Sequence, residues 1–232
     1  MGARCGCYSQ VINMSYKIYT GFVSSIDSTK YADKGAQEFF DLWYANTRKY
    51  YSDAEIVLLG PDVPDITNKC NIKVLESYDN LGHVGDYIHN RKHGRWCGWT
   101  AAVVFGMMHA YVKNVDFIYK EQDCLAFGNY VQRMYNDCEG FDIVYGSCRV
   151  MGAAQSLFLV KRNAIPDVIS SLAHDEDKIV LPEIKFARLP VKQTRLSFGY
   201  DRDRPWNPND SEFYIQQISG QDFTQLEENK LI

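Results

Sequence analysis

Apolar residues along the chain fall into two kinds of run. Short continuous stretches occupy residues 17–23, 54–59, 72–75, 116–119, 142–145 and 157–160. Between several of them lie longer segments whose apolar positions recur every three or four residues. Over 34–51, Phe39, Phe40, Trp43, Tyr44 and Thr47 share one face of a helix. Over 96–112, Ala101, Val104, Phe105 and Met108 are expected to form the buried face of a second helix. Gly60 and Pro61 stop the second strand. Continuous apolar strands alternating with helices predict an α/β domain, its mainly parallel central sheet covered on both faces by helices. No internal repeat and no Gly/Ser linker divides the chain, so a single domain is expected over 16–232, behind an amino-terminal tail of 1–15. From about residue 220 the chain turns polar, and that tail is expected to be ordered only in part.

Composition narrows the class. Of 232 residues, 46% are hydrophobic and 23% charged, enough apolar material for a packed core without a disulfide or metal framework. The formal net charge is −4, whereas a nucleic-acid coat is usually basic, so no nucleic-acid partner is expected. The 7 cysteines are odd in number and, beyond Cys5 and Cys7, scattered without a C-x-x-C ladder, which points to a reduced, cytoplasmic compartment. No apolar run approaches the roughly 20 residues of a membrane span, and the start lacks the apolar core of a signal peptide. Gly2 with Cys5 and Cys7 suggests acylation, but Gly6 stands where that pattern wants Ser or Thr, so a loose tail and no membrane association are expected. The 16 Tyr and 12 Phe supply core and also platforms for ring-shaped ligands.

In open α/β sheets ligands bind outside the carboxyl ends of the strands. The segment 24–29 after the first strand has neither G-x-G-x-x-G nor G-x-x-x-x-G-K-[ST], which argues against a Rossmann dehydrogenase and a P-loop phosphotransferase. The strand 116–119 runs into Lys120-Glu121-Gln122-Asp123-Cys124. Side chains at i and i+2 of an extended chain point the same way, so Glu121 and Asp123 can converge. Paired acids among apolar residues need a cation or hydrogen bonds to compensate them. Oxygen ligands of this kind suit Mn²⁺ or Mg²⁺, which complete their shells with water and substrate phosphates. A solvated surface turn is the plainer reading, and the apolar flanks count against it. In 83–96, Arg91, Lys92 and Arg95 can neutralise phosphate and Asp86 can accept from a base or sugar hydroxyl. His89 and His93 stand at i, i+4, but without the glutamate of H-E-x-x-H or a third ligand they do not make a zinc site. Gln155 follows Gly152, Ala153 and Ala154, either a place for a sugar or a tight turn into a buried strand. Glu183, in the apolar context 179–184, is a candidate base, with Asp177 as the runner-up. The segment 201–212 has acids at three positions of a calcium loop, but Pro205 and Trp206 break that pattern.

This layout resembles the GT-A glycosyltransferases, which transfer a sugar from a nucleotide-diphosphate donor. The likeness spans roughly 16–218 by order of elements. It rests on a short motif, Glu121-Gln122-Asp123, an E-x-D variant of the family's D-x-D at the end of a mid-chain strand. The resemblance implies that Asp123 ligates Mn²⁺ or Mg²⁺ directly, with Glu121 nearer the ribose or a metal-bound water and Gln122 beside the donor. It implies that the backbone of Thr20, Gly21 and Phe22 embraces the nucleoside and that Tyr78 stacks on the base. Asp86, Arg91, Arg95 and Gln155 would contact the donor, a UDP- or GDP-sugar, and Arg202 and Arg204 would fold over its diphosphate. Glu183 or Asp177 would deprotonate the hydroxyl of a glycan or other acceptor if the reaction inverts. No His follows His174, so the carboxyl-terminal His ligand of some relatives is missing. Two other readings stay open: a sugar nucleotidyltransferase of related fold, whose usual Gly-rich basic loop is absent here, and a carbohydrate-binding α/β domain without turnover.

Overall fold

The apolar runs of the sequence become strands. In the computed structural model, which describes residues 15–22, 24, 35–76, 94–146, 153–198, 212–216 and 220–232, the chain forms β1 (Tyr16–Gly21), α1 (Ala36–Tyr50), β2 (Ile56–Gly60), β3 (Ile72–Glu76), α2 (Gly98–Val112), β4 (Asp116–Lys120) and β5 (Cys124–Phe127). Then follow α3 (Tyr130–Asp137), β6 (Ile143–Gly146), β7 (Ala154–Val160), α4 (Ile165–His174), α5 (Pro182–Ala187), β8 (Gln193–Arg195), β9 (Phe213–Gln216) and α6 (Gly220–Glu228).

Seven strands make one sheet in the order β3-β2-β1-β4-β7-β6-β8. All neighbours are parallel except β7, which runs antiparallel to both β4 and β6. The mainly parallel α/β architecture expected from the sequence is therefore what the chain adopts. β5 and β9 form a separate antiparallel pair.

The continuous apolar character of β2 follows from burial on both faces. Val57 and Leu59 pack with Val103, Met107, Phe117, Tyr119 and Phe158 beneath α2. Ile56 and Leu58 join Phe39, Phe40 and Trp43 of α1 on the other side. Glu38 Oε2 accepts from the Gly35 N–H at the start of α1, and Arg48 in its last turn donates to the carbonyls of Cys70 and Asn71, tying the helix to the entry of β3. Gly106 lets α2 approach the sheet closely, since a Cβ there would lie 2.7 Å from Phe117 Cε2 and 2.8 Å from Leu59 Cδ1.

Two expectations are corrected. Phe105 and Met108 are 48% and 51% exposed, and Val103, Met107 and Ala110 take the buried face of α2. The helix is apolar on almost every side, so spacing alone could not phase it. The polar tail after residue 220 is helix α6, whose Phe223 and Leu226 are buried against α1 and β9 residues. The short strands β5, β8 and β9 also escaped the hydrophobic pattern. Among the described residues no helix is long and apolar enough to cross a membrane, and Cys70, Cys97, Cys124 and Cys138 are free thiols.

Candidate active site at the end of the fourth strand

β4 ends at Lys120 and β5 begins at Cys124, which leaves Glu121, Gln122 and Asp123 as a tight turn at the carboxyl end of the parallel strands. The Cys124 N–H donates to the Glu121 carbonyl at 3.0 Å and closes the turn. The Glu121 N–H continues the pairing with β7 by donating to the Ser156 carbonyl at 2.8 Å. The Ser156 hydroxyl in turn donates to Glu121 Oε2 at 2.7 Å. Asp123 is only 7% exposed, so the turn is not a solvated one.

The charges of both carboxylates bear on the same buried neighbours, although the segment is a turn and not the extended chain on which the i, i+2 expectation rested. Burial holds the Tyr119 hydroxyl well above the usual tyrosine range, and the charges of Glu121 and Asp123 push it the same way. Burial also raises the Cys124 thiol, with Lys120 opposing and Asp123 and Glu121 adding to the rise. The Tyr119 hydroxyl also lies against Gly21, where an added Cβ would stand 3.3 Å from it. The end of β1 and the acidic turn therefore meet at one tyrosine. Trp99, at the start of α2, stands with its ring centroid 6.1 Å from that of Tyr119 and 6.0 Å from Phe186. Among the described residues the indole nitrogens of Trp96 and Trp99 are buried without hydrogen-bond partners. Sequence reasoning did not single them out, although two tryptophans at a helix entry near a strand end are a usable signal.

Among the described residues no group of three or more His, Cys, Asp or Glu gathers as a metal cage. Two carboxylates alone fit a hard cation that keeps waters and takes its remaining ligands from phosphate oxygens, and they do not fit a fully protein-enclosed ion.

Each of the other expected residues within the described part of the chain has its own contacts. Thr20 is buried and its hydroxyl donates to the Gly21 carbonyl at 3.2 Å. Phe22 packs in the core against Phe40, and its N–H is taken by the Leu59 carbonyl at 2.9 Å. Gln122 is half-buried in the turn. Gln155, on β7, has a buried Oε1 without a partner among the described residues, and so does Glu183 Oε2 on the first turn of α5. Arg95 is exposed, and its Nη2 donates to the His174 carbonyl at 3.0 Å, capping the end of α4. Asp177 has no exposed surface. Its Oδ1 accepts from Lys185 Nζ at 2.8 Å and its Oδ2 from the Cys97 N–H at 2.6 Å. Both oxygens of this runner-up base are engaged within the fold. Tyr78, Asp86, Arg91, Lys92, Arg202 and Arg204 lie outside the described residues.

Lys120 was also missed. Its ammonium is wholly buried, and desolvation pushes its pKa down to about 7.

No protein-family model and no curated sequence matches the chain. Among solved structures it is similar to a 4-diphosphocytidyl-2C-methyl-D-erythritol synthase, with TM-score 0.52 and 9% identity over 94% of this chain and 100% of that one. It is also similar to a cytidylyltransferase from Leptospira borgpetersenii, with TM-score 0.49 and 11% identity over 92% and 85%. The galactosyltransferase LgtC, solved with donor and acceptor sugar analogues, gives TM-score 0.46 and 8% identity over 79% and 75%. At such identities the likeness is one of fold alone, a mainly parallel sheet with helices packed on both faces.

Proposed function

We propose that the protein transfers a sugar from a nucleotide-diphosphate donor, a UDP- or GDP-sugar, to a hydroxyl of a glycan or other acceptor, assisted by Mn²⁺ or Mg²⁺. The observation that carries this reading is the Glu121-Gln122-Asp123 turn at the carboxyl end of β4, with Asp123 buried and Glu121 oriented by Ser156. Asp123 would be the direct ligand and Glu121 would hold a metal-bound water or the ribose. A cation bound there supplies the charge that stabilises a departing nucleoside diphosphate. The backbone at Thr20, Gly21 and Phe22 would border the nucleoside, and Gln155 Oε1 is an acceptor for a sugar hydroxyl. Glu183 takes the part of the base, because its Oε2 has no partner among the described residues while both oxygens of Asp177 are engaged. Tyr78, Asp86, Arg91, Arg202 and Arg204 keep their proposed places around base and diphosphate, and Arg95 reaches the donor only by leaving the end of α4.

A nucleotidyl transfer that builds an activated sugar is the second reading, favoured by the likeness of fold to the diphosphocytidyl synthase along its whole length. One assay separates the two. Release of nucleoside diphosphate from UDP- or GDP-sugars in Mn²⁺, lost in Asp123→Ala, supports the first. Release of pyrophosphate from a nucleoside triphosphate and a sugar phosphate replaces it with the second. If neither occurs and no donor raises the melting temperature, the chain binds carbohydrate without turnover or does something else.

A further inference from the structure

Lys120 ends β4 with its side chain wholly buried, and its ammonium meets no carboxylate among the described residues. Nζ donates to Asn46 Oδ1 at 2.7 Å and to Thr47 Oγ1 at 2.8 Å, and it lies 4.7 Å from the ring centroid of Trp43 and 5.9 Å from that of Tyr130. Burying an ammonium costs several kcal/mol by a rough estimate, and an apolar side chain of similar volume would pack there at less cost. A lysine at this place therefore answers to something other than packing.

The groups that hold the ammonium also hold the chain on both sides of the acidic turn. Trp43 Nε1–H donates at 3.0 Å to the Glu121 carbonyl, the same oxygen that accepts from Cys124 and closes the turn. Asn46 Oδ1 accepts from Lys120 Nζ and also from the Ala126 N–H at 3.1 Å. β5 pairs with β9 alone among the described strands, so the asparagine satisfies a donor on an edge that has no neighbouring strand. Thr47 Oγ1 donates back to the Trp43 carbonyl at 2.8 Å and fixes its own lone pairs toward the lysine. Positions 43, 46 and 47 form one stripe of α1 by their i, i+3, i+4 spacing. That stripe grips the chain at 120, at 121 and at 126.

We propose that Lys120, Asn46 and Trp43 are positioning residues, a polar clamp through which α1 fixes the Glu121-Gln122-Asp123 turn so that its two carboxylates are held for a divalent cation. The inference rests on the reading of Glu121 and Asp123 as the cation site.

Amide hydrogen exchange of the metal-free protein tests the clamp, and Mn²⁺ binding followed by electron paramagnetic resonance tests its purpose. Asn46→Leu keeps the branched shape, at a somewhat larger volume, and removes the acceptor. Asn46→Asp keeps the acceptor and replaces the amide nitrogen, which has no hydrogen-bond partner among the described residues. Because Asn46→Leu alone leaves an ammonium stranded, the apolar pair Lys120→Met with Asn46→Leu is the variant made to fold. The Cys124 amide is decisive, since Asn46 does not touch it. In the folded double variant it should exchange at least about tenfold faster while amides of β1 and β2 stay as they are, and Mn²⁺ should bind about tenfold more weakly. Asn46→Asp should restore both. Unchanged exchange at Cys124 and unchanged Mn²⁺ affinity in the double variant, or equal behaviour of Asn46→Leu and Asn46→Asp, would overturn the clamp. A wild-type protein that binds no Mn²⁺ overturns the cation reading instead, and the exchange at Cys124 still decides whether α1 fixes the turn.

Discussion

Ser156 and Glu121 are joined twice, by the Glu121 N–H to the Ser156 carbonyl at 2.8 Å and by the Ser156 hydroxyl to Glu121 Oε2 at 2.7 Å. The first bond extends the β4–β7 pairing one residue past β4, and the second turns the carboxylate. Ser156→Ala keeps the first and deletes the second. A hydrogen bond to a charged group contributes about 1.5–3 kcal/mol, and here most of that goes to holding one side-chain orientation. The unfolding free energy should drop by no more than about 2 kcal/mol, with Mn²⁺ bound several-fold more weakly than by the wild type. Equal Mn²⁺ affinity in the two proteins would show that the hydroxyl does not orient the site.

In the last turn of α2 a histidine is held neutral. Lys73 Nζ lies 3.1 Å from His109 Nε2, and the Tyr19 hydroxyl 3.0 Å from Nδ1. An ammonium only donates, so Nε2 must accept and Nδ1 carries the proton toward Tyr19. Burial lowers the pKa of His109, Lys73, Lys17 and Lys113 lower it further, and Glu55, paired with Lys17, opposes them. The folded state therefore resists a proton that the unfolded chain takes up near 6.5. Stability present at neutral pH is lost as the pH falls through and below that value. Melting temperatures measured between pH 7.5 and 5.5 should fall more in the wild type than in His109→Gln, whose amide can donate to Tyr19 and accept from Lys73. Parallel curves for the two proteins would remove His109 as the cause.

Particular residues show where the sequence was readable. β2 and β4 were legible because burial on both faces writes an unbroken apolar run. The E-x-D turn was legible because charge at the end of such a run is costly and so conspicuous. Ser156, Trp43 and Asn46 were not, because each reaches the turn through sheet pairing or helix docking that leaves no local trace. β5 and β9 are only four residues each, and their pairing joins segments about ninety residues apart. Arg95 read as a donor-binding group and Asp177 as a candidate base, and the structure uses one to cap α4 and the other to receive Lys185 and Cys97. Both uses satisfy the same electrostatic demand, and only tertiary contacts distinguish them.

Gly106 sets how closely α2 lies on the sheet. An added Cβ would stand 2.7 Å from a ring carbon of Phe117, 2.8 Å from Leu59 and 3.2 Å from Tyr19. Alanine gains up to about 1 kcal/mol over glycine in a helix interior, while overpacking a filled core costs about 1–3 kcal/mol. The rigid ring decides the balance, so Gly106→Ala should lower the unfolding free energy by about 1–2 kcal/mol in urea titrations. Because α2 carries Trp99 against Tyr119, the same shift should alter the near-ultraviolet signal of the tryptophans. A more stable variant would mean that α2 has room which the contacts deny.

The two candidate bases stand six residues apart and should separate cleanly. Lys185 Nζ serves the buried Asp177 Oδ1 and Leu172 carbonyl and the part-buried carbonyl of Asp175, while Asp177 Oδ2 holds the Cys97 N–H at the start of α2. Removing one partner strands the other charge, which costs about 3–5 kcal/mol for a buried pair. Lys185→Met should fall in that range. Asp177→Asn should cost less, since its amide oxygen can still accept from Cys97, and the loss should show in unfolding rather than in turnover of the folded fraction. Glu183→Gln should do the reverse. Glu183 is half-buried with an unpartnered Oε2, so its amide variant should unfold within about 0.5 kcal/mol of the wild type. Transfer of sugar to an acceptor should then slow at least about a hundredfold, as expected for loss of a general base. The decisive result is the crossed one. If Asp177→Asn is as stable as the wild type yet does not turn over, the base is Asp177 and its pairing with Lys185 must open during the reaction.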